Sequence, residues 1–586
     1  ARFVDLKDLD FPFTPKKVDP LLEVLTADKG LDFTHQESDK VDYNIQRTIP
    51  HKLTQFGPSL AVGDINGDGL EDFIVGGAAG FSPSIFIQGA EGGFTETELF
   101  QNLEDRKYEE MGMILFDLDN DGDLDLYMVS GSSEFIPDSD EYADRVYIND
   151  GKGNFSRSLD ALVDIKGSGS VVRAADFDGD GWMDLFVGGR TPIGQYPFPD
   201  RSFLLRNNQG KLEDVTELLA PGLRNVGMVS DAIWTDFDGD GLVDLIVVGE
   251  LMPVSFFKNN GSELVLLTET GVQDHLGWWN SIVAGDFNGD GLIDYVVGNL
   301  GANNYYHPSK DRPVTVYGKD FDGNRSIDPV IFAYFKSEIG GAHISVPAHY
   351  WDDLYGQSTL FRRKFDRYKE YARITEDNFF TEEELEGALV LKGNYDRSSY
   401  LENLGNGKFK IHALPLLAQT APVNGMVVDD VNHDGHLDLI MVGNDYGNEV
   451  FSGRYDAFTG LVLLGNGEGE FEPIRSYESG FVVAGDAKSM ALIYDSKGHP
   501  IYLSTQNRGR LLAHQPIKTL QTTNFIIPPH DIHTVVFEKG NGQKVRVELD
   551  NRSGFISNSS RRVHIPNGVK QIQGVNFKGE IVNLPY

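Results

Sequence analysis

The amino-acid sequence predicts an all-β protein built from repeated four-stranded units, and three observations predict it. A nine-residue acidic pattern recurs along the chain, short apolar runs flank its copies, and a second Asn/Gly-rich turn follows most of them. Glycine supports the same reading: 65 of 586 residues, about 11% against a usual ~7%, arriving singly in turn contexts and not with a collagen period.

The pattern is Asp, any residue, Asp or Asn, any residue, Asp or Asn, three further residues, then Asp. Its first four copies place these side chains at Asp64, Asn66, Asp68 and Asp72; Asp117, Asp119, Asp121 and Asp125; Asp176, Asp178, Asp180 and Asp184; and Asp236, Asp238, Asp240 and Asp244. Three more lie at Asp286, Asn288, Asp290 and Asp294; Asp320, Asp322, Asn324 and Asp328; and Asp430, Asn432, Asp434 and Asp438. Calcium takes six to eight oxygens at about 2.3–2.6 Å in a forgiving geometry, and alternating Asp/Asn at positions 1, 3 and 5 points three oxygens inward. A backbone carbonyl near position 7 and the Asp at position 9 complete most of the shell. Magnesium, which keeps waters and demands an octahedron, fits less well. Position 6 is Gly in six copies and Arg325 in the Asp320 copy, the weakest of the set. Without a cation, such carboxylate packing would be strongly repulsive.

Before the loops stand runs such as Ser59-Leu-Ala-Val62 and Met113-Ile-Leu-Phe116; after them stand runs such as Leu126-Tyr-Met-Val129 and Leu245-Ile-Val-Val248. Short apolar runs closed by Gly or Ser read as buried strands, so each loop joins two antiparallel strands. A second hairpin follows, as in Arg145–Phe155, Ser202–Leu212 and Tyr400–Phe409, with Asn-Gly-type turns between apolar strands. Two hairpins make one blade of a β-propeller.

The first Asp recurs at 64, 117, 176, 236, 286 and 430, and a degenerate copy is expected at Asp486, its loop having lost its ligands. The long interval after Asp286 reads as one blade interrupted by an insertion over residues 302–395, with the Asp320 loop inside it. The predicted organisation is an N-terminal segment over 1–49, a ring of seven blades over 50–522, and a small C-terminal β module over 523–586. Six or eight blades are the alternatives, since ring closure can borrow a strand from the N-terminal segment.

Charge and composition exclude several function classes. The formal charge is −38, from 89 acids and 51 bases, which repels nucleic acid and anionic membranes. The absence of cysteine excludes thiolate metal sites and thiol catalysis. No run approaches ~18 apolar residues, so no membrane-spanning helix is expected. The start at Ala1-Arg2, without initiator Met or signal peptide, reads as a processed or trimmed piece. No G-x-S-x-G elbow, metal-protease His pattern or P-loop is present, so no catalytic residue is assigned.

The loops and their flanks, with Phe56-Gly57-Pro58 before the first loop and Gly76-Gly-Ala78 behind it, resemble the FG-GAP/VCBS repeats of integrin-α-like propellers. The stretch Gly30-Leu-Asp-Phe-Thr-His35 and the tail Ser553-Gly-Phe-Ile-Ser-Asn-Ser-Ser560 are similar to the cartilage-acidic-protein-like (ASPIC/UnbV) bacterial family. The resemblance implies an extracellular or cell-surface binding or scaffold protein with structural calcium. Its implied partners are protein or glycan ligands, or an outer-membrane uptake or adhesion complex, and any lipid anchor lies outside these residues. The rival is a calcium-dependent polysaccharide lyase, for which His343, His349 and Arg362 are the only candidate set.

In the insertion, Asp353–Arg373 is predicted helical, with Phe361, Phe365 and Tyr368 as its apolar stripe and Arg362, Arg363, Lys364, Arg367, Lys369 and Arg373 as a basic face. Thr381–Glu384 is a capping box opening a second helix. Aromatic residues crowd the same region, at Trp278-Trp279, Tyr305-Tyr306 and Tyr350-Trp351, as insertion core or as a sugar platform.

Overall fold

The computed structural model describes residues 19–25, 29–100, 102–163, 165–337, 340–518, 524–540, 542–549 and 552–585. The first 18 residues of the expected N-terminal segment, and the expected boundary at 522–523, lie outside the described residues.

Strands dominate, and seven sheets share one antiparallel up-and-down order. Sheet I holds Leu60–Gly63, Asp72–Val75, Ser84–Gln88 and Phe94–Glu98; sheet II holds Glu110–Phe116, Asp125–Ser130, Arg145–Asn149 and Phe155–Ser158. Sheet III holds Gly169–Ala175, Asp184–Gly189, Phe203–Asn207 and Leu212–Asp214; sheet IV holds Met228–Thr235, Asp244–Met252, Ser255–Asn259 and Leu264–Leu266. Sheet V pairs Ser281–Gly285 and Asp294–Gly298 with Ser399–Asn403 and Phe409–Ala413, leaving the insertion between its second and third strands. Sheet VI holds Val423–Asp429, Asp438–Gly443, Leu461–Gly465 and Phe471–Ile474. Sheet VII holds Ala487–Tyr494, Pro500–Gln506 and Leu512–Pro516, and its fourth strand, Leu22–Val24, comes from the N-terminal segment.

The second strands, such as Asp125–Ser130 and Asp438–Gly443, are buried at every position because a neighbouring sheet covers each face. That is why their sequences are continuous apolar runs and do not alternate. A separate apolar core fills every interface between consecutive sheets, including VII against I through Leu503, Ala513, Phe73 and Phe86. The sheets therefore form a closed ring.

The insertion builds its own sheet, ordered His343–Pro347, Val330–Lys336, Val314–Gly318 and Leu389–Gly393. The single helix expected over 353–373 is instead three short ones, Trp351–Gln357, Thr359–Lys364 and Tyr368–Tyr371. The first break is at Ser358, whose extended backbone lets its side chain cap the next helix by accepting from Leu360 N. Gln357 is held there too, accepting from Arg47 N at 2.6 Å and donating to Asp328 Oδ1 at 2.8 Å. Phe361 and Phe365 are buried, whereas Tyr368 is 60% exposed and stacks on Trp351 at 4.5 Å. The capping box forms as expected, Thr381 with Glu384.

The C-terminal module has four strands, Ile532–Lys539, Lys544–Glu548, Val569–Asn576 and Ile581–Asn583, and its segment reaches the Asp64 and Asp236 loops. Arg546 bonds Asp236, Arg562 donates to Gly69 O at 2.7 Å, and Gly579 approaches Gly241. From this module residues 552–562 run as a strap across the ring's axis. Ser557–Asn558 adds in parallel to Leu60–Gly63 of sheet I, and Ser553–Gly554 pairs with Val423–Asp429 of sheet VI. Asn558 donates to Met113 O of sheet II, Arg173 of sheet III to Ser557 O, Phe555 N to Asp231 of sheet IV, and Leu492 N of sheet VII to Ser559. Sheet V approaches at Gly554, where a Cβ would stand 2.7 Å from Ile282 O, so only glycine fits. All seven first strands thus touch the strap.

Candidate metal centres

In six of the seven loops the sixth residue is glycine at φ between 83° and 97°; the Asp320 loop instead holds Arg325 at φ 74°, a conformation that disfavours side chains. The first Asp accepts from backbone N–H groups further along its own loop, as Asp64 does from Gly67 N (2.9 Å), Asp68 N (3.1 Å) and Gly69 N (2.9 Å). The third residue accepts from the fifth, and the fifth from the seventh, so these oxygens converge on one point. Carboxylate oxygens lie within 4.8 Å of one another at Asp117/Asp119/Asp121, Asp176/Asp178/Asp184, Asp236/Asp238/Asp244 and Asp320/Asp322/Asp328. The other three loops carry Asn66, Asn288 or Asn432 at position 3. Buried oxygens without a donor remain at Asp117 Oδ1 and Asp322 Oδ1, so the donor sets fit a hard cation.

The ninth Asp has a second task. At Asp184, Oδ2 accepts from Phe177 N at 3.1 Å and Oδ1 from Asn207 N at 2.7 Å, joining the loop to the third strand. Asp72, Asp125, Asp244 and Asp438 do the same. Burial, reinforced by the neighbouring loop carboxylates, pushes Asp184 and Asp244 up to about 9 and Asp72, Asp125 and Asp438 up to about 7. Each loop thus combines a buried ninth Asp, which burial disfavours as an anion, with more exposed acidic or amide side chains at positions 3 and 5.

The Asn closing the third strand is a role that sequence reasoning missed. Asn149 donates to Ile65 O, Asn207 to Leu118 O, Asn259 to Phe177 O and Asn403 to Phe237 O, at 2.7–2.9 Å. Each acceptor is position 2 of the preceding sheet's loop, so these amides staple neighbouring loops together. The recurring Asn was visible and was read only as a turn residue.

Two loops depart from the expected pattern. In the Asp236 loop, Lys258 Nζ contacts Asp238 and lies 2.8 Å from Asp240, and Arg546 reaches Asp236 at 3.1 Å, so the chain itself supplies positive charge. In sheet VII the degenerate copy is misplaced. Asp486 precedes the first strand and pairs with Lys488 at 2.8 Å, whereas the connection corresponding to the other loops is Asp495–His499. There His499 Nδ1 stands 3.2 Å from Asp495 Oδ2. The local spelling Gly-Asp imitated a loop start, but the strand falls after it.

The lyase set is not assembled. His349 is buried against Phe451 with both ring nitrogens unpartnered, and burial lowers it to about 3. His343 is exposed at the far end of the preceding strand, and Arg362 donates to Tyr355 O. Half of the aromatic crowd is core: Trp278, Trp279 and Tyr306 are buried, whereas Tyr350 is exposed. Trp351 packs at a tilt against both Tyr355 and Tyr368, with ring centroids 4.6 and 4.5 Å away. A cleft of about 500 Å³ opens at the foot of the insertion, lined by Asp274, His275, His307, Lys310, Tyr395 and Arg397 among others.

A model of the FG-GAP-like repeat matches residues 64–128, 117–187 and 236–297, each match starting on an acidic loop. Those stretches are thus similar to FG-GAP-like repeats, and the ring of sheets to which they belong has the architecture of a β-propeller. Among solved structures, YCF48 bound to D1 peptide is similar at 7% identity and TM-score 0.36, over 80% of this chain and 96% of that one. BBS1N in complex with ARL6DN is similar at 11% identity and TM-score 0.36, over 84% of this chain and 99% of that one. Neither likeness is close enough to transfer anything to this chain. No curated protein sequence matches it. Among the described residues no helix is long and apolar enough to cross a membrane.

Proposed function

We propose that the chain is a calcium-stabilised, seven-bladed propeller acting at the cell surface or outside the cell as a binding or scaffold protein. The observation that carries the calcium reading is the convergence of loop carboxylates within 4.8 Å of one another, with orphaned oxygens at Asp117 and Asp322. Calcium there supplies charge neutralisation and ties the first two strands of sheets I to VI at their turn. Asp64, Asp117, Asp176, Asp286 and Asp430 open the loops best suited to it. The Asp320 loop is weakened by Arg325, and the Asp236 loop must first displace Lys258.

The strap fills the axis and the C-terminal module touches the Asp64 and Asp236 loops, and on this reading the insertion and its cleft are the surface offered to a protein or glycan partner. Cell-surface location and membership of an outer-membrane uptake or adhesion complex rest on the tail's similarity to ASPIC/UnbV modules. The test is deletion of residues 302–395 with a short turn joining Gly298 to Ser399, whose strands already pair. Partners captured from the native envelope fraction should be lost while the ring's melting transition persists. Retention of every partner would exclude the insertion as the binding face.

A further inference from the structure

On the face away from the acidic loops, three chain segments bring carboxylates together. Glu37 belongs to the N-terminal segment, Glu109 immediately precedes the first strand of sheet II, and Glu134 follows that sheet's second strand. One oxygen from each lies within 4.8 Å of the others. Glu109 is 1% exposed; its Oε2 accepts from Ala79 N at 2.6 Å, and its Oε1 is buried with no hydrogen-bond donor. Glu37 accepts from Ser38 N and Asn507 Nδ2 at 2.8 and 2.9 Å, and Glu134 from Ser38 Oγ at 2.5 Å. These bonds orient the carboxylates without neutralising them. Among the described residues no Lys or Arg forms an ion pair with any of the three, and the neighbouring Glu110 is already taken by Arg145 at 2.9 Å.

We propose that Glu37, Glu109 and Glu134 form a divalent-cation site separate from the repeat loops, completed by the orphaned Glu109 Oε1. Oxygens bound to one ion at about 2.3–2.6 Å can stand up to about 5 Å apart, and the three carboxylates meet that upper limit. The all-carboxylate donor set selects a hard ion, calcium or manganese over zinc or copper. The ion would join the segment that supplies the ring-closing strand Leu22–Val24 to sheet II. Asn507, which follows sheet VII's strand Pro500–Gln506, carries that link across the seam, since it also donates to Gly57 O ahead of sheet I at 3.2 Å. It would thus pin the seam where the ring closes.

The experiment is anomalous diffraction from crystals of the whole chain equilibrated with Mn²⁺, with metal equivalents counted by equilibrium dialysis. The expected result is a peak among these three carboxylates that Glu109→Gln abolishes, with one equivalent lost and peaks at the loops unchanged. A site lacking that peak while the loops are filled would overturn the proposal. So would a Glu109→Gln protein that melts higher with no change in metal count, which identifies a proton-sharing cluster. If Glu109→Gln does not fold, Glu37→Gln, from the partly exposed side, gives the same readouts. A peak here with none at the loops would sink the loop assignment and leave this one standing.

Discussion

At the residue scale, stability rests on a few buried ion pairs that hold segments to the ring. Arg173 donates to Ala232 O, Ser557 O and Asn558 Oδ1 and pairs with Asp231 at 2.5 Å, so one guanidinium joins two sheets to the strap. Replacing it with Leu leaves Asp231 buried without its cation, at a cost of about 3–5 kcal/mol. The expected outcome is a lower denaturant midpoint and rapid proteolytic release of the C-terminal module. A second pair, His51 and Glu250 at 3.2 Å, lies among Arg190, Tyr196 and Asp445. Burial alone would lower His51, but Glu250 holds it above its ordinary 6.5; burial would raise Glu250, but His51, Arg190 and Tyr196 hold it below its ordinary 4.5. The His term is present below pH 6.5 and fades as pH rises through the folded value, whereas the Glu term is present above pH 4.5 and fades below it. His51→Gln should therefore lower the melting temperature more at pH 6 than at pH 9. An equal loss at both would show that His51 contributes packing alone.

At the scale of elements, the loops were the most legible part of the sequence because their acidic spacing is local. The strands were legible because burial on both faces makes them continuous apolar runs. The staples were not, because Asn149, Asn207, Asn259 and Asn403 act on the preceding sheet's loop, a relation invisible within one repeat. Asn207→Ala and Asn259→Ala should each cost about 1–3 kcal/mol by leaving buried carbonyls unpaired. Chemical denaturation would check this, and a change under ~0.5 kcal/mol would mean water replaces the amide. The single helix expected over 353–373 failed for a similar reason: Gln357 is recruited by Arg47 and Asp328, contacts distant in sequence. The degenerate unit was misplaced because Gly485-Asp486 mimics a loop start, and only the observed strand Ala487–Tyr494 shows otherwise.

At the scale of the molecule, the ring is closed twice. Leu22–Val24 completes sheet VII, and the strap of 552–562 touches the first strand of every sheet. The tail's apolar and polar letters, Ser553 to Ser560, carried no periodic signal, so its place on the axis could not be read from them. Phe555 and Ile556 sit there at φ 61° and 42°, a strained path held by bonds from the surrounding strands. Truncation after residue 523 should thus do more than remove a module: it exposes Asp231 and Arg173 along an opened axis, and the ring should melt lower and bind apolar dyes. With the axis filled, the function proposed above gives recognition to the insertion side and stability to the acidic loops.

That last statement depends on metal, and one measurement tests it most directly: thermal unfolding of the whole chain in calcium and after chelation, with bound calcium counted. Each site held at a hundredfold its Kd adds about 2.7 kcal/mol. Five or more equivalents and a fall of at least ~10 °C on chelation are predicted. A chain that binds no calcium and melts at the same temperature in chelator would contradict the account, leaving the loops as acidic turns without a cation.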